Sequence, residues 1–181
     1  VMKNTKSMIS TIYQTLHAAD SEELEGIYKK WASDYDHDVL ELAGYVGHLI
    51  TSSLLLSKIK NKKAKILDAG CGTGLVGEIL FENNYKNVEG VDFSEEMLSV
   101  ANQKNIYQSL RLVDLTKKLD YEDNSFDAIV CAGAFTCGHV GPEALKEMLR
   151  VTKKAGYICF TVRKQEWEAS PYKEIIDNLE N

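Results

Sequence analysis

A run of glycines behind an aspartate is the first feature of the sequence that could do chemistry. Residues 68–77 read Asp-Ala-Gly-Cys-Gly-Thr-Gly-Leu-Val-Gly and continue a short apolar segment. Glycine lets a backbone turn sharply and approach a ligand closely. Two more carboxylates, Asp92 and Asp114, follow the next two apolar segments. If these segments are parallel strands, Asp68, Asp92 and Asp114 meet at one edge of a sheet, where open α/β folds bind ligands.

The same run contains a G-x-G-x-x-G pattern at Gly72, Gly74 and Gly77, with Asp92 downstream. This spacing is typical of a dinucleotide site, in which the acidic residue holds a ribose. A dinucleotide also carries a pyrophosphate, which three carboxylates in one crevice would repel. They suit a ligand that has a positive charge and no phosphate. S-adenosylmethionine fits, because it carries a sulfonium, an ammonium, a ribose diol and an adenine amine.

The elements that must position these residues form two parts. We expect residues 1–62 to form a helical N-terminal cap, with one helix over 5–18, a second capped by Ser21 and a third over 38–60. Residues 63–181 alternate strand and helix, with strands predicted over 65–69, 87–92, 109–113, 126–131 and 157–163 and helices over 75–83, 94–104 and 142–152. Near-continuous apolar strands separated by helices indicate a parallel sheet covered on both faces. The prediction is a single α/β domain with a doubly wound, mainly parallel sheet and N-terminal helices.

Composition argues against several classes of function. The 181 residues carry 21 Lys and Arg against 27 Asp and Glu, a formal net charge of −6. Such a chain is a poor default partner for the phosphate backbone of nucleic acids. It contains no run of about 18 apolar residues and no secretory signal sequence, so we expect a cytoplasmic protein without a membrane partner. The four cysteines lack the spacing of metal ligands or disulfides, and no metal site is predicted.

Residues 68–74, Asp92, Asp114 and the strand that begins at Phe126 together resemble a class I S-adenosylmethionine-dependent methyltransferase, which has a Rossmann-like fold. Residues 28–39 and 133–145 resemble the methyltransferase-like proteins of the Williams–Beuren syndrome region. The resemblance implies S-adenosylmethionine as the cofactor and S-adenosylhomocysteine as the product. Members of this class continue past the fifth strand with a helix and two more strands. We therefore expect a sheet that lacks the last C-terminal strands and ends on strand five.

The resemblance assigns each motif a part of the cofactor. The glycine-rich turn and its aspartate hold the methionine part, the carboxylate after the second strand holds the ribose, and the segment after the third strand holds the adenine. Phe93 and Met97 are expected to sandwich that adenine. The predicted cofactor-binding residues are Asp68, Gly70, Cys71, Gly72, Gly74, Leu75, Asp92, Phe93, Met97, Asp114, Leu115, Cys131, Ala132, Gly133, Tyr28, Trp31 and Tyr35.

The aromatic residues among them, Tyr28, Trp31 and Tyr35, are spaced three and four residues apart, as on one face of a helix. Two interpretations stay open for this stripe. It is either a packed helix face or a lid over the cofactor, with a tyrosine hydroxyl near the carboxylate or a ring face near the sulfonium.

The acceptor side is less constrained, because an activated methyl group needs alignment more than a catalytic side chain. A general base is required only if the acceptor must lose a proton. His139, Tyr35 and His37 are candidates, and no catalytic residue is assigned. Phe135, His139 and Arg163 are predicted to face the substrate, the arginine as a partner for an anionic acceptor.

Three functions follow from these observations. The first is a methyltransferase whose acceptor is a small molecule or a protein. The second is an NAD-dependent oxidoreductase, which leaves Asp68 and Asp114 unexplained. The third is a non-catalytic domain that binds S-adenosylmethionine. The Asn/Asp-Pro-Pro-Tyr signature of amino-group methyltransferases is absent after the fourth strand, which argues against N-methylation of DNA adenine or of glutamine.

Overall fold

A computed structural model describes residues 2–135 and 140–179 of the chain. Its N-terminal part contains α1 (Met2–His17), α2 (Ser21–Trp31), α3 (Tyr35–His37), a π-helical turn (Asp38–Leu42) and α4 (Gly47–Lys58). Strands and helices then follow in the order β1 (Ile66–Ala69), α5 (Leu75–Glu82), β2 (Val88–Asp92), α6 (Glu95–Gln103), β3 (Ser109–Leu112), β4 (Phe126–Phe135), α7 (Ala144–Val151), β5 (Thr152–Val162), α8 (Lys164–Ala169) and α9 (Tyr172–Leu179).

The five strands form one parallel sheet in the order β3-β2-β1-β4-β5. Asp68 pairs in register with Gly90 of β2 and with Val130 of β4. The strand order reverses between β1 and β4, and open α/β sheets bind ligands outside the carboxyl ends of the strands at such a point. The predicted doubly wound α/β fold with N-terminal helices is confirmed. Among the described strands, β3 and β5 lie at the edges.

The two faces of β1 contribute to two separate apolar clusters. Ile66 belongs to the cluster that includes α4 and α5, whereas Leu67 and Ala69 belong to the cluster that includes α7. Side chains alternate along a strand, so Asp68 points to the same face as Ile66. All four residues of β1 are buried. A carboxylate at this position must therefore find its partners inside the protein.

The single helix predicted over 38–60 is wrong, because the chain turns at Gly44. The segments Tyr35–Leu42 and Gly47–Lys58 meet at a bend of 88°. Gly44 has a φ of 64°, in the left-handed region that commonly ends a helix. In the described residues no single helix is long and apolar enough to cross a membrane. The two segments of this bent pair reach that length and apolar content only when they are taken together.

Other element boundaries differ from prediction in smaller ways. Asp20, rather than Ser21, caps α2, because its Oδ1 accepts a hydrogen bond from Glu23 N–H (2.9 Å). Ser94 caps α6 as predicted, and its Oγ accepts from Met97 N–H (3.3 Å). β4 extends to Phe135 and β5 begins at Thr152, so both strands are longer than their apolar runs suggest.

Tyr107 fills a groove that two glycines leave open. A Cβ atom on Gly77 would lie 2.3 Å from Tyr107 Oη, and one on Gly90 would lie 3.1 Å from Tyr107 Cε1. Gly77 is the last glycine of the G-x-G-x-x-G pattern, which the sequence alone associates with dinucleotide binding. Here its missing side chain makes room for an aromatic ring of the protein itself.

We expect Gly77→Ala to destabilise the protein by about 1–3 kcal/mol, because the new methyl group meets the half-buried ring of Tyr107, which also packs against Gly90. Gly26→Ala is the matched control, because Gly26 is also helical and its Cβ would meet no atom within 4 Å among the described residues beyond its own helix backbone. That control should stabilise α2 by up to about 1 kcal/mol through helix propensity alone. Urea unfolding measures both changes, and an equal stabilisation in the two variants would contradict the packing role of Gly77.

Candidate cofactor site

The glycine-rich turn is held in place by the end of β2. The N–H groups of Gly70 and Cys71 both donate to Val91 O, at 2.8 and 2.9 Å. Gly72 and Gly74 have φ values of 52° and 95°, a conformation that glycine adopts without strain. Apart from its two chain neighbours, no described residue has an atom within 4 Å of the position that a Cβ on Gly72 would take. The turn therefore presents bare backbone to the open space above the sheet.

Asp92 joins this turn to the start of α6. Its Oδ2 accepts from Gly72 N–H (2.8 Å), and its Oδ1 accepts from Ser94 N–H (3.0 Å). Burial raises the pKa of Asp92, and these N–H groups offset part of that rise. Each carboxylate oxygen can accept a second hydrogen bond. The carboxylate can thus hold the turn and still accept from two neighbouring hydroxyl groups of a ligand.

Asp68 lies beneath the turn and is fully buried. Tyr107 Oη–H donates to its Oδ2 (2.6 Å), and its Oδ1 has no hydrogen-bond partner among the described residues. Burial raises the pKa of Asp68 to about 7; the hydrogen bond from Tyr107 lowers it, and the charge of Asp92 raises it. The Asp68 carboxyl therefore changes between its protonated and ionised forms near neutral pH. A cationic group above it would favour the ionised form.

Asp114 begins the loop after β3. Its Oδ1 accepts from both the N–H and the hydroxyl of Thr116, at 2.9 and 2.6 Å, and its Oδ2 pairs with Lys117 Nζ (3.1 Å). Burial raises the pKa of Asp114, but these partners outweigh it, so the pKa lies below its ordinary value. The charged carboxylate and the neighbouring buried Leu115 both line the opening above the sheet.

Gly70, Gly72, Asp92 and Asp114 line a cleft of about 910 Å³. Its size lies within the range of roughly 300–1,000 Å³ that is typical of small-molecule sites. We call residues 21–42 the arm. One wall of the cleft consists of the strand ends, and the other consists of the corner between α1 and α2 together with part of the arm. The charged side chains among the described lining residues are four carboxylates and one lysine: Asp20, Glu25, Asp92, Asp114 and Lys117.

The three aromatic residues of the stripe divide between the cleft and the interior of the arm. Tyr28 and Tyr35 line the cleft, and Tyr28 packs edge-on against Phe93 with ring centroids 5.8 Å apart. Trp31 is buried behind them, where its Nε1–H donates to Asp38 Oδ2 (2.8 Å). Burial raises the pKa of Tyr35 well above its ordinary value, so its hydroxyl stays protonated and can donate a hydrogen bond.

The structure brings eleven of the predicted cofactor-binding residues to the lining of this cleft. They are Gly70, Gly72, Asp92, Phe93, Met97, Asp114, Leu115, Ala132, Gly133, Tyr28 and Tyr35. The others lie behind the lining: Asp68, Cys71, Gly74, Leu75, Trp31 and Cys131. Their roles toward the cofactor, like those of the lining residues, stay predictions.

Three candidates for the acceptor side do not belong to the lining of this cleft. Phe135 is fully buried and packs against the rings of Phe160 and Tyr172, at centroid distances of 5.2 and 5.9 Å. It therefore belongs to the core and does not face a substrate. Arg163 precedes α8 and is not among the cleft residues. The candidate base His37 is half-exposed on the outside of the arm, beside Glu41.

His139, the remaining candidate for a base and for substrate contact, lies outside the described residues. The side chain of Cys131, which is predicted to line the methyl-donor pocket, is fully buried in the apolar core. Burial raises the pKa of its thiol, which makes it a hydrophobic rather than a nucleophilic group.

Sequence reasoning missed two polar groups near the cleft. Tyr107 holds Asp68, and the facing glycines Gly77 and Gly90 are the sequence feature that leaves room for it. Tyr45 follows the turn at Gly44, and its buried hydroxyl would lie 2.9 Å from a Cβ on Gly133. Burial raises the pKa of this hydroxyl, and the nearby side chain of Thr161 offsets part of the rise. Nothing in the local sequence marks Tyr45, because its position depends on the bend between the arm and α4.

Residues 67–160, slightly more than half of the chain, match the family model of a methyltransferase domain. The chain belongs to this family. The predicted family resemblance is thereby confirmed, and membership favours the methyltransferase interpretation of the glycine-rich turn over the NAD-dependent one.

Relatives and structures agree with the assignment. The chain is 36% identical over 153 residues to human methyltransferase-like protein 27 and 34% identical over 151 residues to the ubiquinone/menaquinone biosynthesis C-methyltransferase UbiE of Bdellovibrio bacteriovorus. These matches cover 83% and 78% of this chain, which spans 61% and 62% of the two relatives. The fold is similar to that of a TehB-like S-adenosylmethionine-dependent methyltransferase from Corynebacterium glutamicum, with a TM-score of 0.63, 24% identity and 82% of each chain covered.

Membership of the methyltransferase family implies S-adenosylmethionine as the cofactor, and the residues present fit it. The cleft offers a carboxylate with spare acceptor capacity, bare backbone at the glycine turn, aromatic rings and an excess of negative charge. Each of these matches a group of the cofactor: the ribose diol, the amino-acid part, the adenine ring and the two positive charges.

The raised pKa of Asp68 predicts a specific dependence of stability on pH. Because the folded state holds this proton up to about pH 7 and the unfolded state releases it near pH 4, the wild type loses stability as pH rises between those values. Relative to Asp68→Asn, the loss should reach about 1.4 kcal/mol per pH unit at most. Urea unfolding of both proteins at pH 5, 6 and 7 measures the difference, and parallel curves would show that Asp68 is ionised throughout.

Proposed function

We propose that the protein transfers the methyl group of S-adenosylmethionine to a small-molecule acceptor by in-line displacement. The charge of the cleft carries this proposal. Four carboxylates and one lysine line it in the described residues, and this excess attracts a sulfonium and an ammonium while repelling a pyrophosphate. Family membership supports the same chemistry.

The contacts of each group suggest where the cofactor lies. Asp92 accepts from the ribose hydroxyls, and the backbone of Gly70 and Gly72 faces the amino-acid part. Phe93 and Met97 line the cleft beside Asp92 and supply apolar surface for the adenine. Asp114 keeps its charge at neutral pH and accepts from the adenine amine with a lone pair that Thr116 and Lys117 leave available.

The remaining work of the chain is alignment and exclusion of water. S-adenosylmethionine supplies a methyl group that is already activated for displacement. Ala132 and Gly133 form a wall of small residues at the end of β4, which leaves space for the transferring methyl group. Tyr28 and Tyr35 cover the cleft from the arm, so water is kept from the reacting atoms.

A small-molecule acceptor fits a cleft that is enclosed from two sides. The helical corner at Asp20 and Leu24 faces the strand ends across this space, which leaves little room for a folded macromolecule at the methyl group. A protein acceptor that reaches in with one extended side chain, and a cytoplasmic location, stay predictions. Compounds with a quinone nucleus should be among the acceptors that are tested, since the name of the UbiE relative assigns that protein to ubiquinone and menaquinone biosynthesis.

Isothermal titration calorimetry with S-adenosylmethionine, S-adenosylhomocysteine and NAD tests the cofactor. We expect the first two to bind and NAD to bind at least about 100-fold more weakly, which corresponds to roughly 3 kcal/mol. Binding of NAD alone would contradict the proposal and restore the dinucleotide interpretation.

Asp92→Ala should weaken binding of S-adenosylmethionine by about 100-fold or more, because it removes two charge-assisted hydrogen bonds of about 1.5–3 kcal/mol each. Asp120→Ala is the control, since this exposed carboxylate pairs with Arg111 and does not line the cleft. Circular dichroism at the titration temperature must show that both variants are folded. Equal affinities of Asp92→Ala and Asp120→Ala would place the ribose elsewhere.

Release of S-adenosylhomocysteine, measured against a panel of small-molecule acceptors, separates an enzyme from a binding domain. Turnover above the rate of cofactor hydrolysis with at least one acceptor supports methyl transfer. Tight cofactor binding without turnover on any acceptor would favour the non-catalytic alternative.

A further inference from the structure

Asp36 ties the arm to the glycine-rich turn. Its Oδ1 accepts from the hydroxyl of Thr73, which lies between Gly72 and Gly74. Its Oδ2 pairs with Lys104 Nζ (2.7 Å) at the end of α6. One carboxylate thus connects the segment beside Tyr35 to the loop that faces the cofactor.

Lys104 extends the connection to a third element. Its Nζ also pairs with Glu78 Oε2 of α5 (2.8 Å), and its side chain is only 17% exposed. Burial lowers the pKa of Lys104, but Asp36 and Glu78 outweigh it, so the pKa lies above its ordinary value and the group stays charged. We call the set Asp36, Thr73, Lys104 and Glu78 the clamp.

None of the four clamp residues lines the cleft. The clamp would therefore act on the cleft through its neighbours, which are Tyr35 on one side and the turn that donates to Asp92 on the other. Thr73 is almost fully buried, so its hydroxyl has no ready alternative partner in water.

Among the described residues, the other ion pair between the arm and the core is weaker because it is more exposed to solvent. Lys29 and Glu96 meet at 2.9 Å, but the lysine side chain is 67% exposed. Exposed pairs of this kind contribute little to stability. The hydrogen bond from Trp31 to Asp38 lies within the arm and does not connect it to the sheet.

We propose that Asp36 is a positioning residue for cofactor binding, a role that rests on the proposed function of the cleft. It holds Tyr35 over the cleft and fixes the turn at Thr73 in the conformation in which Gly72 reaches Asp92. Because binding and arm position share these contacts, occupation of the cleft by the cofactor also stabilises the arm, and the two effects are reciprocal.

The test compares Asp36→Asn with Asp34→Asn by titration with S-adenosylmethionine. Asp34 lies two residues earlier in the same segment, is exposed, and its side chain makes no capping hydrogen bond. We expect a 5- to 50-fold loss of affinity (roughly 1–2.3 kcal/mol) for Asp36→Asn and less than a 2-fold change (about 0.4 kcal/mol) for Asp34→Asn.

A double-mutant cycle with Lys104→Met isolates the ion pair. If the clamp acts as a unit, the double variant Asp36→Asn/Lys104→Met should bind S-adenosylmethionine with about the affinity of whichever single variant binds less tightly. Independent residues would instead give a loss of affinity equal to the product of the two single losses. Thr73→Val provides a second route, since it removes only the hydroxyl and keeps the shape. It should also weaken binding.

Hydrogen exchange distinguishes positioning from a general loss of stability. S-adenosylmethionine should slow exchange of amides in residues 21–42 of the wild type and of Asp34→Asn, but not of Asp36→Asn at a saturating ligand concentration. Equal affinity and equal protection in Asp36→Asn and Asp34→Asn would overturn the inference while the proposed function stands. Failure of the wild type to bind S-adenosylmethionine would overturn both.

Discussion

A buried carboxylate that holds two loops together is the interaction on which the site depends. Asp92 accepts from Gly72 at one oxygen and from Ser94 at the other, and it thereby fixes the ends of β1 and β2 relative to each other. Burying a charge is unfavourable unless it is hydrogen-bonded. The two backbone N–H groups meet that requirement and leave lone pairs that face the cleft. The same atoms that stabilise the fold locally are therefore the ones available to a diol.

Charge is the second constraint, and it acts over the whole cleft. Negative charge from the strand ends is joined by Asp20 and Glu25 of the opposite wall, while Lys117 is already paired with Asp114. Beneath the turn, Asp68 is held by Tyr107 and is poised to ionise near neutral pH. A cation in the cleft lowers the free energy needed to keep these neighbouring carboxylates ionised, whereas a pyrophosphate raises it. The fold alone would accommodate either ligand, and the side chains decide between them.

The sequence predicted what periodicity and turn chemistry control. Apolar strands, the glycine turn and the cap at Ser94 are local features, and they placed Asp92, Asp114 and Phe93 at one edge of the sheet. The failures come from tertiary geometry. The helix over 38–60 breaks at Gly44, and this bend brings Tyr45 to Gly133. Phe135 lies in the core because β4 runs four residues past its apolar segment, and Tyr107 was invisible because its partner lies 39 residues away in sequence.

A crystal structure of the protein with S-adenosylhomocysteine would show which atoms the ligand contacts. We predict that the ribose hydroxyls contact Asp92, that the amino-acid part lies along Gly70 and Gly72, and that the adenine lies between Phe93 and Met97 near Asp114. A ligand bound outside this cleft, or one whose ribose lies away from Asp92, would contradict this prediction.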